Sequence, residues 1–298
     1  MVRWPHPTAI CTGTEPDAAG SAALMPALLT RFLPFLDYPF MQRALLASFA
    51  IGLLCAVVGV YVTLRSLSFF SDAISHAALA GIALGVLLGI DPVLAAVVFC
   101  VVVAAGITFL TFRTDLTSDT VIGVFFSGSM AVGVLLIGLQ QGYQTDLLSY
   151  LFGDVLAVSK LDVALAMGLA VVVLGVLFRW SSVLIKIAFN RDLAEVEGVR
   201  AVAWDYLFMV LLALTVAVSL KLVGIVLVSA LIIIPAAAAR NVAPDFRGLM
   251  GLAAAIGVVS TASGLILSYY LDTASGPTIV MVAIVVFIGS FGARAIRR

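Results

Sequence analysis

The sequence predicts an all-α protein: a polytopic bundle of eight or nine transmembrane helices with its C-terminus in the cytoplasm. Composition carries the first part of that prediction. Of 298 residues, 63% are hydrophobic and 11% charged, against about 45–50% and about 25% in soluble domains. Mean hydropathy is +1.22. Such a chain cannot cover its own surface with polar groups in water, which excludes a soluble enzyme. The second observation is a series of apolar runs near the ~20 residues that a helix needs to cross a bilayer. The third is the gathering of Lys and Arg in alternate connections, the mark of the cytoplasmic side. Zero net charge argues against a nucleic-acid partner.

Residues 1–40 read as an N-terminal extension and interfacial segment ahead of a transmembrane domain at 41–298. Residues 1–23 lack the apolar core of a secretory signal. They suit a flexible extension, or an over-long gene start with the initiator at Met25. From Leu24 to Phe40 the apolar run is cut by Pro26, Arg31, Pro34, Asp37 and Pro39, which favours a segment lying along the membrane. Candidate spans follow at 44–64, 69–90, 93–112, 120–139, 163–179, 206–221, 222–239, 249–271 and 277–293. The pair flanking Lys221 is short for two spans and also fits one span plus a re-entrant helix, hence eight or nine crossings. Leu147 to Val158 is too short to cross and suits a half-helix or surface helix.

Arg65, Arg113, the 179–200 connection, the Arg240–Arg247 connection and the tail with Arg294, Arg297 and Arg298 all fall on one side when nine spans are threaded. The opposite connections hold Asp91, Asp146, Asp154, Asp162 and Asp272, with only Lys160 and Lys221 as bases. Cys11, Cys55 and Cys100 form no C-x-x-C pattern, so neither a disulfide framework nor a thiolate metal site is expected.

Two regions carry chemistry. Asp72 falls within an apolar run, and His76, one of only two histidines, follows four residues later. Residues i and i+4 share a helix face. A charge at the bilayer centre costs about 2.5–3.5 kcal/mol, so it faces a partner or a water-filled path. Carboxylate plus imidazole suits zinc and is tolerable for manganese. A buried Asp–His hydrogen bond that ties helices together is the competing reading. The second region, 183–200, is too polar to span. Leu193, Val196 and Val199 recur at helical spacing opposite Asp192, Glu195 and Glu197, with Asn190 as cap and Gly198 near the end. Such an amphipathic helix offers a face to a soluble partner; a helix lying on lipid is the alternative. The chain has no G-x-x-x-x-G-K-[ST] and no H-E-x-x-H, so it holds no P-loop for ATP and no zinc-protease signature of that kind.

These stretches together resemble the permease subunits of ATP-binding-cassette importers for zinc and manganese. The matching segments are S-L-S-F-F-S-D-A-I-S-H-A-A-L-A-G-I-A-L-G (66–85), T-D-L-L-S-Y-L-F-G-D-V-L-A-V-S (145–159), N-R-D-L-A-E-V-E-G-V (190–199), V-S-L-K-L-V-G-I-V-L-V-S-A-L-I-I-I-P-A-A-A-A-R (218–240) and Y-L-D-T-A-S-G-P-T-I-V (270–280). The resemblance implies a homodimer bound to two ATPase subunits and served by an extracytoplasmic metal-binding protein. It implies no permanently bound cofactor, with the metal as cargo. The ATPase would dock on Asn190, Asp192, Leu193, Glu195, Glu197 and Gly198, while Asp72 and His76 would lie on the metal path. The 150–159 and 272–277 stretches look most like the zinc branch, although Ser127 stands where some zinc permeases carry a second histidine. A proton-coupled carrier and a scaffold with a structural Asp–His pair are the competing classes; the first has no need of a docking helix.

Overall fold

A computed structural model describes residues 39–139, 153 and 158–296. Among these residues there are eleven helices and no strand: α1 (Pro39–Leu64), α2 (Ser68–Leu88), α3 (Pro92–Arg113), α4 (Ser118–Gly138), α5 (Lys160–Arg179), α6 (Ser181–Phe189), α7 (Arg191–Val196), α8 (Ala201–Val223), α9 (Ile225–Val242), α10 (Phe246–Leu271) and α11 (Ser275–Ile296). Eight of them are long and apolar enough to cross a membrane. At 18 residues, α9 reaches about 27 Å, just short of the ~30 Å hydrocarbon core. Counting α9 as a crossing returns Arg65, Arg113, Arg191 and Arg240 to one side, as the charge pattern requires.

Local chemistry sets the helix ends. Asp91 caps α3, accepting from the Leu94 N–H at 2.8 Å, and Pro92 takes the first helical position, where its missing N–H costs nothing. Ser159 and Asp162 form a reciprocal capping box at the start of α5. α1 ends in a Schellman turn: the Leu67 N–H donates to the Val62 carbonyl at 2.9 Å and the Ser66 N–H to Thr63 at 3.3 Å. Such a turn needs a left-handed residue. Gly89 supplies it after α2, but Ser66 supplies it here, at φ 56°.

α1 is the hub. It packs on α10, α9 and α5, while α2 packs on α3 and α4, and α8 joins the two groups through α3. From Leu54 to Val62 every α1 residue is buried. A helix apolar all round is buried on all sides, and small residues set how closely its neighbours come. Gly52 faces Gly257 and Thr261 of α10, and a methyl group at Gly59 would collide with the Ile232 backbone of α9.

Three expectations need correction. The 183–200 segment is two helices rather than one, because Asn190 takes an extended backbone (φ −155°, ψ 107°) between α6 and α7. α8 starts at Ala201 rather than at 206, which draws Asp205 into the helix and buries it. Asp72 is the fifth residue of α2, about 6 Å along the axis from its start. It therefore sits toward the basic side of the bundle instead of midway. The two-helix reading about Lys221 holds: Gly224, at φ 85° and ψ 161°, breaks the chain between α8 and α9. The segment 1–38 and most of Leu147 to Val158 lie outside the described residues.

Candidate functional site

The regular turns of α2 put Asp72 and His76 on one face. Their neighbours Ser71, Ala73, Ile74, Ser75, Ala77 and Ala78 are buried against α3, α4 and α8. Asp72 and His76 are half-buried, in a strip that begins at Phe69 (67% exposed) and continues to Leu79. Glycines allow the tight seating behind this strip: a methyl group on Gly81 would press on the Ala96 backbone at 2.7 Å, and one on Gly85 would press on Pro92 at 2.9 Å.

The imidazole of His76 stands edge-to-face with Phe126 of α4, ring centroids 4.9 Å apart and planes at 88°. Neither Asp72 nor His76 forms a hydrogen bond or salt bridge with another described residue. The tie between them that a purely structural pair would need is therefore missing from this geometry. No group of three or more His, Cys, Asp or Glu side chains able to hold a metal occurs among the described residues. One chain thus offers two ligands at this position, half of a tetrahedral set. Ser127, next to Phe126, is exposed and does not face the pair from within the bundle.

At the basic end, α6 and α7 form a separate element. Asn190 accepts from the Leu193 N–H at 3.0 Å and caps α7. Gly198 ends it at φ 83°, with the Val199 N–H donating to Ala194 at 3.0 Å. Of the expected apolar stripe, Val199 packs inward while the other two residues stay outward. Ala194 also packs inward, whereas Leu193 (57%) and Val196 (85%) face outward with Phe189 (78%). Asp192 is exposed. Glu195 and Glu197 are held within the element, by Arg191 at 3.2 Å and by Lys186. The exposed tip of α7 is thus apolar at Leu193 and Val196, with two of its three neighbouring carboxylates paired within the element.

Sequence reasoning missed the charges that anchor this element. Asp205 on α8 takes Arg65 Nη1 at 2.8 Å through one carboxylate oxygen and Arg191 Nη1 at 3.1 Å through the other. Arg65 also stacks over Phe208 at 4.6 Å and reaches the Leu184 carbonyl of α6 at 3.5 Å. Arg191 stacks over Phe112 of α3 at 4.2 Å. Burial draws the Arg65 guanidinium below its ordinary pKa, and the Asp205 carboxylate pushes it back up. A cavity of about 190 Å³ opens beside this network, lined among others by Thr108, Thr111, Ile122, Ile187 and Met209. The available signal was a lone acid four residues into an apolar helix, because a buried carboxylate demands partners.

Comparison with known proteins extends over most of the chain. The model of the ABC 3 transport family matches residues 37–294. The chain is 36% identical to the high-affinity zinc uptake system membrane protein ZnuB of Haemophilus influenzae, over 82% of this chain and 94% of that protein. It is 38% identical to the manganese import system permease protein ScaB of Streptococcus parasanguinis, over 89% of this chain and 94% of that one. Among solved structures, PsaBC from Streptococcus pneumoniae in complex with Fab superposes with a TM-score of 0.78 at 34% identity, covering 90% of this chain and 95% of the other.

Proposed function

The chain belongs to the ABC 3 transport family, and on that footing we propose that it is the membrane-spanning permease of an ATP-driven importer for a divalent metal ion, zinc first and manganese second. The observation that carries this reading is the Asp72–His76 pair: a carboxylate and an imidazole one turn apart, half-exposed on an open strip of α2 and without hydrogen-bond partners among the described residues. These are the donors that a borderline metal accepts. A second copy of the chain meeting this strip would bring two more, four in all. Transient coordination there would let the ion pass, with tight capture left to an extracytoplasmic delivery protein.

The chain has no P-loop, so ATP hydrolysis belongs to a separate subunit, two copies for a homodimer. We assign its docking surface to α7, where Leu193 and Val196 face outward. Relatives named for zinc and for manganese are similarly close. The preference for zinc rests on the 150–159 and 272–277 stretches.

The test is uptake of labelled zinc and manganese into vesicles holding the full complex, with and without ATP, for the wild type, Asp72→Asn and His76→Ala. Uptake should require ATP, favour zinc and collapse in both variants at unchanged abundance and dimer content. Uptake without ATP would turn the reading to a self-sufficient carrier. Normal transport by both variants would make the pair structural.

A further inference from the structure

We propose that Asp205 is a positioning residue of the transport cycle, the joint through which displacement of α7 reaches α2. This rests on the reading above, in which α7 receives the ATPase and α2 carries the metal pair. The geometry has three links. Arg191, the first residue of α7, turns away from the exposed tip and binds one oxygen of Asp205 at 3.1 Å. The other oxygen binds Arg65 at 2.8 Å. Arg65 stands three residues before the start of α2, in the Schellman turn that fixes how α2 leaves α1. A single carboxylate on α8 therefore holds the start of the docking element and the turn that leads into the metal-bearing helix at once.

The surroundings suit transmission better than simple clamping. The Arg65–Asp205 half is rigid, its side chains 7% and 10% exposed. It is braced by the Phe208 ring and by a turn held in a left-handed conformation at Ser66. The Arg191 half is looser: its side chain is 34% exposed and the cavity opens beside it. Arg191 also holds Glu195 at 3.2 Å, so it moves with α7. A shift of α7 therefore reaches Asp205 through the Arg191 ion pair, and the stiff Arg65–Asp205 half passes it on, while the cavity leaves Arg191 room to move. Buried ion pairs contribute little net stability compared with apolar packing, so a role in fixing relative position accounts better for charges at this depth.

The experiment measures metal transported per ATP hydrolysed by the assembled complex in vesicles. Asp205→Asn keeps the shape and removes the charge. It should still bind the ATPase and hydrolyse ATP, while the ratio, read per ATP hydrolysed by the complex that does assemble, falls at least about fivefold, the lower end of typical coupling between sites. Arg191→Gln should lower the ratio similarly, Arg191→Lys should recover most of it, and the double variant Asp205→Asn with Arg191→Gln should be no worse than either single change. An unchanged ratio in Asp205→Asn, or equal falls in transport and hydrolysis, overturns the inference. If Asp205→Asn fails to insert, the Arg191 pair decides alone: a normal ratio in Arg191→Gln, or no recovery with Lys, overturns it. A wild-type chain that binds no ATPase would sink the functional reading itself before any variant is compared.

Discussion

His76 meets Phe126 edge to face, with 4.9 Å between ring centroids. The aromatic ring comes from α4 and holds the imidazole from one side, leaving its donors free of protein hydrogen bonds among the described residues. An edge-to-face pair contributes about 0.5–1.5 kcal/mol beyond its buried area, enough to favour one imidazole orientation. Phe126→Ala should therefore reduce metal uptake severalfold at unchanged abundance. Phe126→Trp, which keeps an aromatic face, should lose less. Equal uptake by wild type and Phe126→Ala would remove Phe126 from the site.

The tip of α7 offers a direct test of docking. Leu193→Asp with Val196→Asp leaves Ala194, the Asn190 cap and both Glu ion pairs in place. The pair of changes should abolish co-purification of the ATPase without lowering membrane insertion. Full ATPase recovery would move the docking surface elsewhere.

Asn190 acts one step back from that surface. Its side chain caps α7 at Leu193, and loss of such a cap costs about 1 kcal/mol. For a helix of six residues that is a large share of its local order. Asn190→Ala should weaken ATPase binding about fivefold, the equivalent of that energy, and Asn190→Asp should restore it. Quantitative binding of the ATPase to the purified permease reads both.

Glycines separate by surroundings. A methyl group on Gly59 meets the backbone of Ile232, which cannot rotate away, whereas one on Gly251 of α10 meets nothing. Gly59→Ala should destabilise by about 3 kcal/mol, the upper end of common overpacking, seen as a lower unfolding midpoint in detergent. Gly251→Ala should leave the midpoint where it is or raise it slightly.

Ser66 gives a test with the opposite sign. It holds φ at 56°, a conformation that glycine adopts without steric cost. Ser66→Gly should raise the unfolding midpoint slightly if the gain in the fold exceeds the added freedom of the unfolded chain. A lowered midpoint would mean that the serine side chain contributes more than its backbone costs.

Much of this architecture was legible along the chain because a bilayer imposes a length rule on each span. Asp91 before Pro92 marks a boundary by local chemistry alone, and Lys221 marked the break between two apolar stretches to within three residues of its place at Gly224. Asp72 and His76 stood out for a similar reason, since charge in an apolar run is costly wherever it sits. Within 183–200 the cap at Asn190 and the end near Gly198 were readable, whereas the separate helix before Asn190 was not, because its apolar residues gave no start signal of their own. Nor was the Asp205 network, whose arginines arrive from positions 65 and 191. Their meeting depends on how α1, α7 and α8 pack, which no pattern along one segment encodes. From Leu54 to Val62 α1 offered no amphipathic face to read, being buried all round there, so its register with α9 and α10 came from glycine placement instead.

The seam at Gly59 and Ile232 has a mechanical meaning. Two helices that touch through backbone have no rotamers between them to take up a shift, so α1 and α9 travel together. With α10 and α11 packed against them, they form a keel. By the same rule α2 and α3 travel together, since Gly81 and Gly85 meet the Ala96 and Pro92 backbones, and rearrangement during a transport cycle falls to the seam between these two groups. Distance labels spanning α1 and α9 should keep their separation with and without ATP, and labels spanning α2 and α9 should not.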